Sequence, residues 1–229
     1  MLTYFQSVVI GLLQGFSELF PISSLGHAVL LPSLLGWDSL VRAQSRPESF
    51  FLAFLVGLHV ATAIALLVYF RSEWVRIIGG FFRSIGRRRI ETADERLAWL
   101  IVVATIPAGL TGVIGVAQVF ALFAGISRSG ITMVAGLLRG LSHEDAARFS
   151  FLLATPIILA AGVYKLPDLF GPLGHGIRMQ VLVGSICAGL MAYVSVAFLM
   201  RYFETRTLTP FAVYCFAAGI GMSIYLAVT

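Results

Sequence analysis

Five stretches of this chain, residues 50–70, 97–116, 149–166, 179–200 and 210–228, are apolar and about as long as a bilayer crossing requires. The hydrocarbon core takes about 20 residues of helix. Such spans fold as helices, because a helix pairs its own backbone groups where no water can. Of the 229 residues, 59% are hydrophobic and 12% charged, against about 25% charged in a soluble domain. The expected architecture is therefore an all-α polytopic membrane protein, one integral membrane domain over 1–229 with about five clear spans and no separate soluble domain.

Two further apolar regions are interrupted. Residues 2–35 are split by Pro21 and by Gly15 and Gly26, and residues 117–141 by Gly125 and Gly130. Short, Gly/Pro-interrupted segments at matching places in two halves are the mark of inverted repeats with a binding site where the half-helices meet. Both regions are read as re-entrant helix pairs, in a first half-repeat of about 1–116 and a second of about 117–229.

The formal net charge is +5, and every basic residue except Lys165 is arginine. The arginines gather in short loops, which points to control of topology rather than to nucleic acid. The loop 71–96 holds seven arginines against four acids and is assigned to the cytoplasmic side. The loops around 139–148 and 201–206 are basic too, yet one crossing over 97–116 followed by a re-entrant pair strands Arg139 on the other side. Either 117–141 crosses, or the chain lacks a span.

The remaining signals are weaker. Cys187 and Cys215 lie in apolar runs without metal or redox spacing and are expected to be inert. The first twenty residues lack a basic leader and contain Gln14 and Glu18, so no cleavable signal peptide is expected. Trp37, Trp74 and Trp99 near span ends suit interfacial anchors. Residues 167–176 read as a turn-rich linker, and 143–145 as a polar loop and helix start.

Within the first broken region sit Gln14, Ser17, Glu18, Ser23, Ser24 and His27. An ionisable group at bilayer depth is expensive, so it is read first as functional. Gln14 and Glu18 are four apart and share a helix face. Glu18 is expected either to hold a divalent cation or to accept a proton. His27 is expected to act as general acid or base, or to steady a phosphate oxygen. Ser23 and Ser24 follow a proline, a context in which one serine caps a helix while the other reacts. Ser24, three residues from His27, is the candidate nucleophile, and backbone N–H groups beside it and Gly26 suit an anion.

The second cluster runs from Gly125 through Ser127, Arg128, Ser129 and Gly130 to Thr132. The Arg128 fork matches phosphate in bidentate fashion. Ser127, Ser129 and Thr132 supply further donors, and Gly125 and Gly130 allow close backbone approach to an oxyanion. His59, inside a span, reads as a hydrogen bonder between helices.

These motifs resemble the bacterial undecaprenyl-diphosphate phosphatases associated with bacitracin resistance. QGFSELFPISSLGH over 14–27 looks like the family's E/Q-x-x-x-E stretch with its Pro-x-Ser-Ser-x-Gly-His, and GISRSGIT over 125–132 like its P-G-x-S-R-S-G-x-T. ATIPA over 104–108 and RFSFL over 148–152 also fit, so the resemblance covers nearly the whole chain. It implies a multi-pass hydrolase of the bacterial plasma membrane that takes one phosphate from a polyprenyl diphosphate lipid and so regenerates the carrier lipid of cell-wall synthesis. Carried over by position, Glu18, Ser24, His27, Ser127 and Arg128 are the expected catalytic residues, accompanied by Gln14. A divalent cation, magnesium or calcium, is the implied cofactor, with Glu18 its expected ligand. A homodimer is left open.

Three positions depart from the family pattern. Gln14 stands where glutamate is commoner, and Ala124 where the motif has proline. Val116 runs directly into Ala117 where the family usually has a further loop and span. That shortening is the crossing the arginine pattern lacked. Two mechanistic versions remain open, attack by Ser24 or by a metal-activated water. The rival class is a carrier that binds the same anionic lipid without cleaving it, and a weaker third is an inactive homologue.

Overall fold

A computed structural model of the chain describes residues 2–44, 49–105, 125–165, 167–171 and 174–228, and these contain helices and no strand. Three helices are long and apolar enough to cross a membrane: α4 (Phe50–Tyr69), α8 (His143–Lys165) and α10 (Arg178–Phe203). They coincide with three of the five expected spans. A fourth begins in α6 (Ala93–Thr105), but residues 106–124, with the Val116–Ala117 junction and Ala124, lie outside the described residues. The fifth is α11 (Thr209–Val228), apolar over Thr209–Tyr225.

The first broken region forms two short helices, α1 (Tyr4–Ser17) and α2 (Ser24–Leu34). Thr3 and Gln6 start α1 with a reciprocal capping box, Gln6 N–H donating to Thr3 Oγ1 at 3.2 Å and Thr3 N–H to Gln6 Oε1 at 3.0 Å. At 1.5 Å per residue the two helices are about 21 and 17 Å long, each short of the about 30 Å hydrocarbon core. Pro21 lies in the turn between them, where its missing N–H costs nothing. Ser23, at φ 68°, caps α2 by accepting the Gly26 N–H at 3.3 Å.

Gly15 and Gly26 are not breaks, because both lie inside helices. Gly15, with Gly11, marks the face of α1 that meets α10: a Cβ on either would run into the Gly184 and Ala188 carbonyls. Small residues spaced by four let two helix backbones touch in this way. Gly130 likewise sits in the first turn of α7 (Arg128–Leu138), next to the Pro21 ring. In the second region Gly125, three residues before α7, takes φ +94°, a value that favours glycine.

Around this core α10 packs on α1 and α4, α4 on α8, and α8 on α7. Two apolar clusters result. One contains Ile10, Leu58 and Ala188, the other Leu19, Ala63 and Ala192. Along α1 and α4 the junction between them falls at Gln14, Glu18 and His59, so a polar layer divides the core.

The short helix α3 (Asp38–Gln44) precedes the span α4, and the arginine-rich α5 (Arg71–Arg87) follows it at the other end. Trp99 donates to Ser84 Oγ at 2.9 Å and packs on Phe81. It therefore joins α6 to α5. The expected helix start at His143 is present, with Ser142 accepting the Asp145 N–H at 3.0 Å. The expected linker contains a four-residue helix, α9 (Pro167–Phe170).

Candidate active site

Glu18 follows the last residue of α1, and its side chain is 8% exposed. Burying a carboxylate is tolerable only where donors surround it. Arg128 Nη2 donates to Oε1 at 2.7 Å. On Oε2 converge Gln14 Nε2 at 3.1 Å, His59 Nε2 at 3.3 Å and the Ser24 hydroxyl. Four residues from three separate parts of the chain thus meet on one carboxylate.

His59 gains its role from this geometry. Its Nδ1 is 2.7 Å from the Leu55 carbonyl and its Nε2 faces the Glu18 carboxylate. Glu18 therefore stands between Arg128 and His59. The spacing of polar residues around the motifs did not reveal this, since His59 has only apolar neighbours in sequence. Its burial depth in a span was the available signal.

Above the carboxylate lies a cavity of about 420 Å³ lined by Ser24, His59, Ser127 and Arg128 among others. Two helix N-termini open into it. Ser24 and Leu25 begin α2, Arg128 and Ser129 begin α7, and all four line the cavity. The first N–H groups of a helix have no partner within it, and together with the helix dipole they favour an anion. Ser127 caps α7, its Oγ accepting the Gly130 N–H at 3.2 Å.

Not every expected residue joins this group. His27 does not pair with Ser24: its Nδ1 meets the Ser23 carbonyl at 2.8 Å and its Nε2 the Tyr214 hydroxyl at 2.7 Å. A spacing of three puts two residues on one helix face, but Ser24 as the first residue of α2 turns back toward Glu18. Thr132 faces α8, donating to the carbonyls of Arg128 and Ser129 at 2.9 and 3.0 Å and meeting Ser150. It supports the motif from behind. Ser129 Oγ lies 3.1 Å from Ser127 Oγ and 3.4 Å from the Glu18 carbonyl, bridging the two clusters. Gly125 lines the cavity, and Gln14 is buried beneath Glu18 with its Oε1 unpaired.

A resident dication does not fit these residues well. Among the described residues Glu18 is the one carboxylate lining the cavity, and its oxygens already face Gln14, Ser24, His59 and Arg128. Among the described residues no group of three or more His, Cys, Asp or Glu is placed to hold a metal.

Among the described residues the chain is all helical, and two helix N-termini, an arginine and a buried carboxylate meet at one cavity, the features of a helical membrane protein with a polar site in its core. The chain belongs to the bacitracin resistance protein BacA family, whose model matches residues 7–114 and 110–221. It is 50% identical to the undecaprenyl-diphosphatase of Mycobacterium avium (strain 104), over 99% of this chain and 98% of that protein. It is 43% identical to undecaprenyl-diphosphatase 2 of Frankia alni, over 99% of each. With undecaprenyl-diphosphatase 2 of Burkholderia ambifaria the identity is 40% over 93% of each. The Mycobacterium avium alignment spans 302 positions, against 229 residues here, so at least 73 positions face gaps in this chain. With both chains covered nearly end to end, most of those gaps are internal.

Proposed function

We propose that this chain is a membrane hydrolase that removes the terminal phosphate of undecaprenyl diphosphate, leaving the monophosphate carrier lipid. Similarity to enzymes of that name over nearly the whole length supports the reaction. The observation that carries the mechanism is the convergence of Arg128, His59 and two helix N-termini on one cavity. Fixed donors of that kind stabilise charge on a phosphoryl group in transfer.

The terminal phosphate sits between the N-termini of α2 and α7. Arg128 binds its oxygens in bidentate fashion and in doing so releases Glu18 from its ion pair. Glu18, freed of that partner, becomes the stronger base and takes the proton of Ser24. Ser24 Oγ attacks the terminal phosphorus, the phosphoanhydride bond breaks, and the lipid monophosphate leaves. Water then hydrolyses the phosphoserine to give inorganic phosphate. His59 remains a fixed positive charge, and His27 acts at the cavity edge rather than on Ser24.

The divalent cation implied by the family enters, in this reading, on the diphosphate as part of the substrate. The enzyme works in a bacterial plasma membrane as a multi-pass protein, with the α1–α2 turn and the α7 start as the tips of two re-entrant segments in inverted halves. Phosphate release by purified protein from an isoprenyl diphosphate tests the proposal. Release should fall about 10²-fold or more in Arg128→Ala. Lipid binding without phosphate release by the folded protein would point instead to a carrier.

A further inference from the structure

Residues 71–89 contain six arginines and one glutamate, and their charge of +5 equals the formal net charge of the whole chain. Control of topology needs only that number on one side of the membrane. The structure adds an arrangement. These residues form α5 and its C-terminal cap, a helix of 17 residues that is not one of the apolar helices suited to crossing a bilayer. Along it Arg76, Arg83 and Arg87 recur at intervals of seven and four and so share one face. Val75, Ile78, Phe82 and Ile85 recur at three, four and three on another face, and all four are exposed, Phe82 by 66%.

The rest of the chain packs on a third strip. Ile77, Gly80 and Ser84 are the buried residues of α5, and a Cβ added at Gly80 would come within 3.1 Å of the Glu95 backbone nitrogen. On the apolar side Trp74, Ile78 and Phe82 border a cavity of about 490 Å³ with Ile101 of α6 and Pro156 of α8. The arginines keep donors to spare. Arg76, Arg83 and Arg87 stand 3.8, 4.0 and 3.9 Å from the carboxylates of Asp94, Glu95 and Glu91, beyond hydrogen-bond length, and each side chain is more than half exposed. At the end of α5 the N–H groups of Arg88 and Arg89 close on the Ile85 and Ser84 carbonyls at 3.3 and 3.2 Å. Arg88 takes φ 54° there, a helix ending that favours glycine. A charge is thus kept where the backbone prefers no side chain.

We infer that α5 is an interfacial helix that recognises the anionic phospholipid head groups of the leaflet it lies on. Its exposed apolar face sinks among the acyl chains, and the arginine stripe with Arg88 and Arg89 meets lipid phosphates. An acidic soluble partner would match the arginines and leave Val75 and Phe82 in water, whereas a lipid surface satisfies both faces at once. The surface is separate from the cavity at Glu18 and needs no turnover.

Trp74 lines the apolar cavity beside α5 and Trp99 packs on Phe81, so both report on lipid at this helix. Trp37→Phe, made in every protein tested, removes the third tryptophan. The full chain is placed in phosphatidylcholine nanodiscs containing dibrominated phosphatidylglycerol or dibrominated phosphatidylcholine, whose bromines quench tryptophan on contact. The anionic lipid should quench at a membrane fraction at least tenfold lower, and about 1 M salt should erase the difference, because exposed charges are then screened within about 3 Å. Arg88→Gly should melt no lower than the parent and cut the preference about fivefold, the effect of one basic residue at an anionic surface. Arg87→Gln/Arg88→Gly/Arg89→Gln should abolish it, and Arg206→Gln, an exposed arginine beyond α10, should leave it unchanged. Equal quenching by the two lipids overturns the inference, as does a preference that survives the triple variant. Quenching by neither lipid would place a second copy over α5 and overturn it too. Free glycerol phosphate, the head group without its chains, should not relieve the quenching, and relief would make this a site for soluble anions instead.

Discussion

Arg128 and Glu18, 110 residues apart, form an ion pair at 2.7 Å that joins the start of α7 to the turn after α1. In the proposed mechanism one partner is the cation that binds phosphate and the other the base that activates a serine. In this structure each holds the other. Under that proposal an arriving anion competes for Arg128 and, by the same act, changes the basicity of Glu18.

The pair is partly buried, so removing one partner leaves an uncompensated charge, at a cost of about 3–5 kcal/mol. Arg128→Ala and Glu18→Gln should each lower stability. The double variant should lose less than the two single losses combined, because the shared interaction is then lost only once. Thermal unfolding of the four proteins gives the coupling. Simple additivity would mean that the pair does not form.

Ser23 and Ser24 are adjacent yet separable. Ser23→Ala removes a helix cap and should cost about 1 kcal/mol of stability with turnover largely kept. Ser24→Ala should leave stability nearly unchanged and remove turnover, with no phosphoserine trapped on rapid quenching. Near-normal release of phosphate by Ser24→Ala would transfer the attack to water.

In the proposed mechanism His59 donates from both ring nitrogens, and its charge is the functional part. His59→Gln keeps one donor without the charge and His59→Phe keeps neither. Turnover should fall about tenfold and about a hundredfold respectively, in line with losing part or all of a fixed donor. Equal rates in both variants would make His59 a packing residue.

His27 pairs with Tyr214 rather than with Ser24. His27→Gln should accordingly be milder in kcat than Glu18→Gln. Tyr214→Phe should follow His27→Gln in direction. If His27→Gln were as inactive as Ser24→Ala, with KM unchanged, the histidine would be the base after all.

Outside the membrane spans, Glu95 and Thr92 form a capping box at the head of α6, Glu95 accepting from the N–H groups of Glu91 and Thr92 at 2.7 and 3.1 Å. Those donors, aided by Arg83, hold the Glu95 carboxyl below the ordinary carboxylate range. A depressed acid stabilises fully above its unfolded value and loses that contribution as pH falls through its folded value. The Tm difference between the parent and Glu95→Gln should thus be constant near neutral pH and shrink below the usual carboxylate range. A difference that grows in acid would reverse the sign and reject the capping role.

The site was legible where polar residues interrupt apolar ones. Glu18 and Arg128 stood out because the surroundings make an isolated charge costly, and Ser23 and Ser24 because a proline turn must end one helix and cap the next. Gly15, Gly26 and Gly130 were legible as special but not as to why. Helix interiors accept glycine when a neighbouring backbone presses close, and nothing local to Gly15 announces α10. His59 was passed over for the opposite reason: a single histidine in an apolar span has many possible partners, and the sequence around it names none.

By itself the sequence determined a helical membrane protein, the two interrupted segments, and their cargo of serines, glutamate and arginine, because length, hydropathy and turn chemistry act along the chain; the internal shortening was legible only through the family resemblance. Only the tertiary structure decided which group meets which. Packing of α4 against α8 and α10, and of α1 against α10, brings His59, Gln14 and Arg128 onto one carboxylate. The direction of the first turn of α2 gives Ser24 to Glu18 and leaves His27 to Tyr214. Hydrogen bonds are satisfied across space, over a few ångströms, and spacing along a chain does not fix such distances once the helices have turned back on one another.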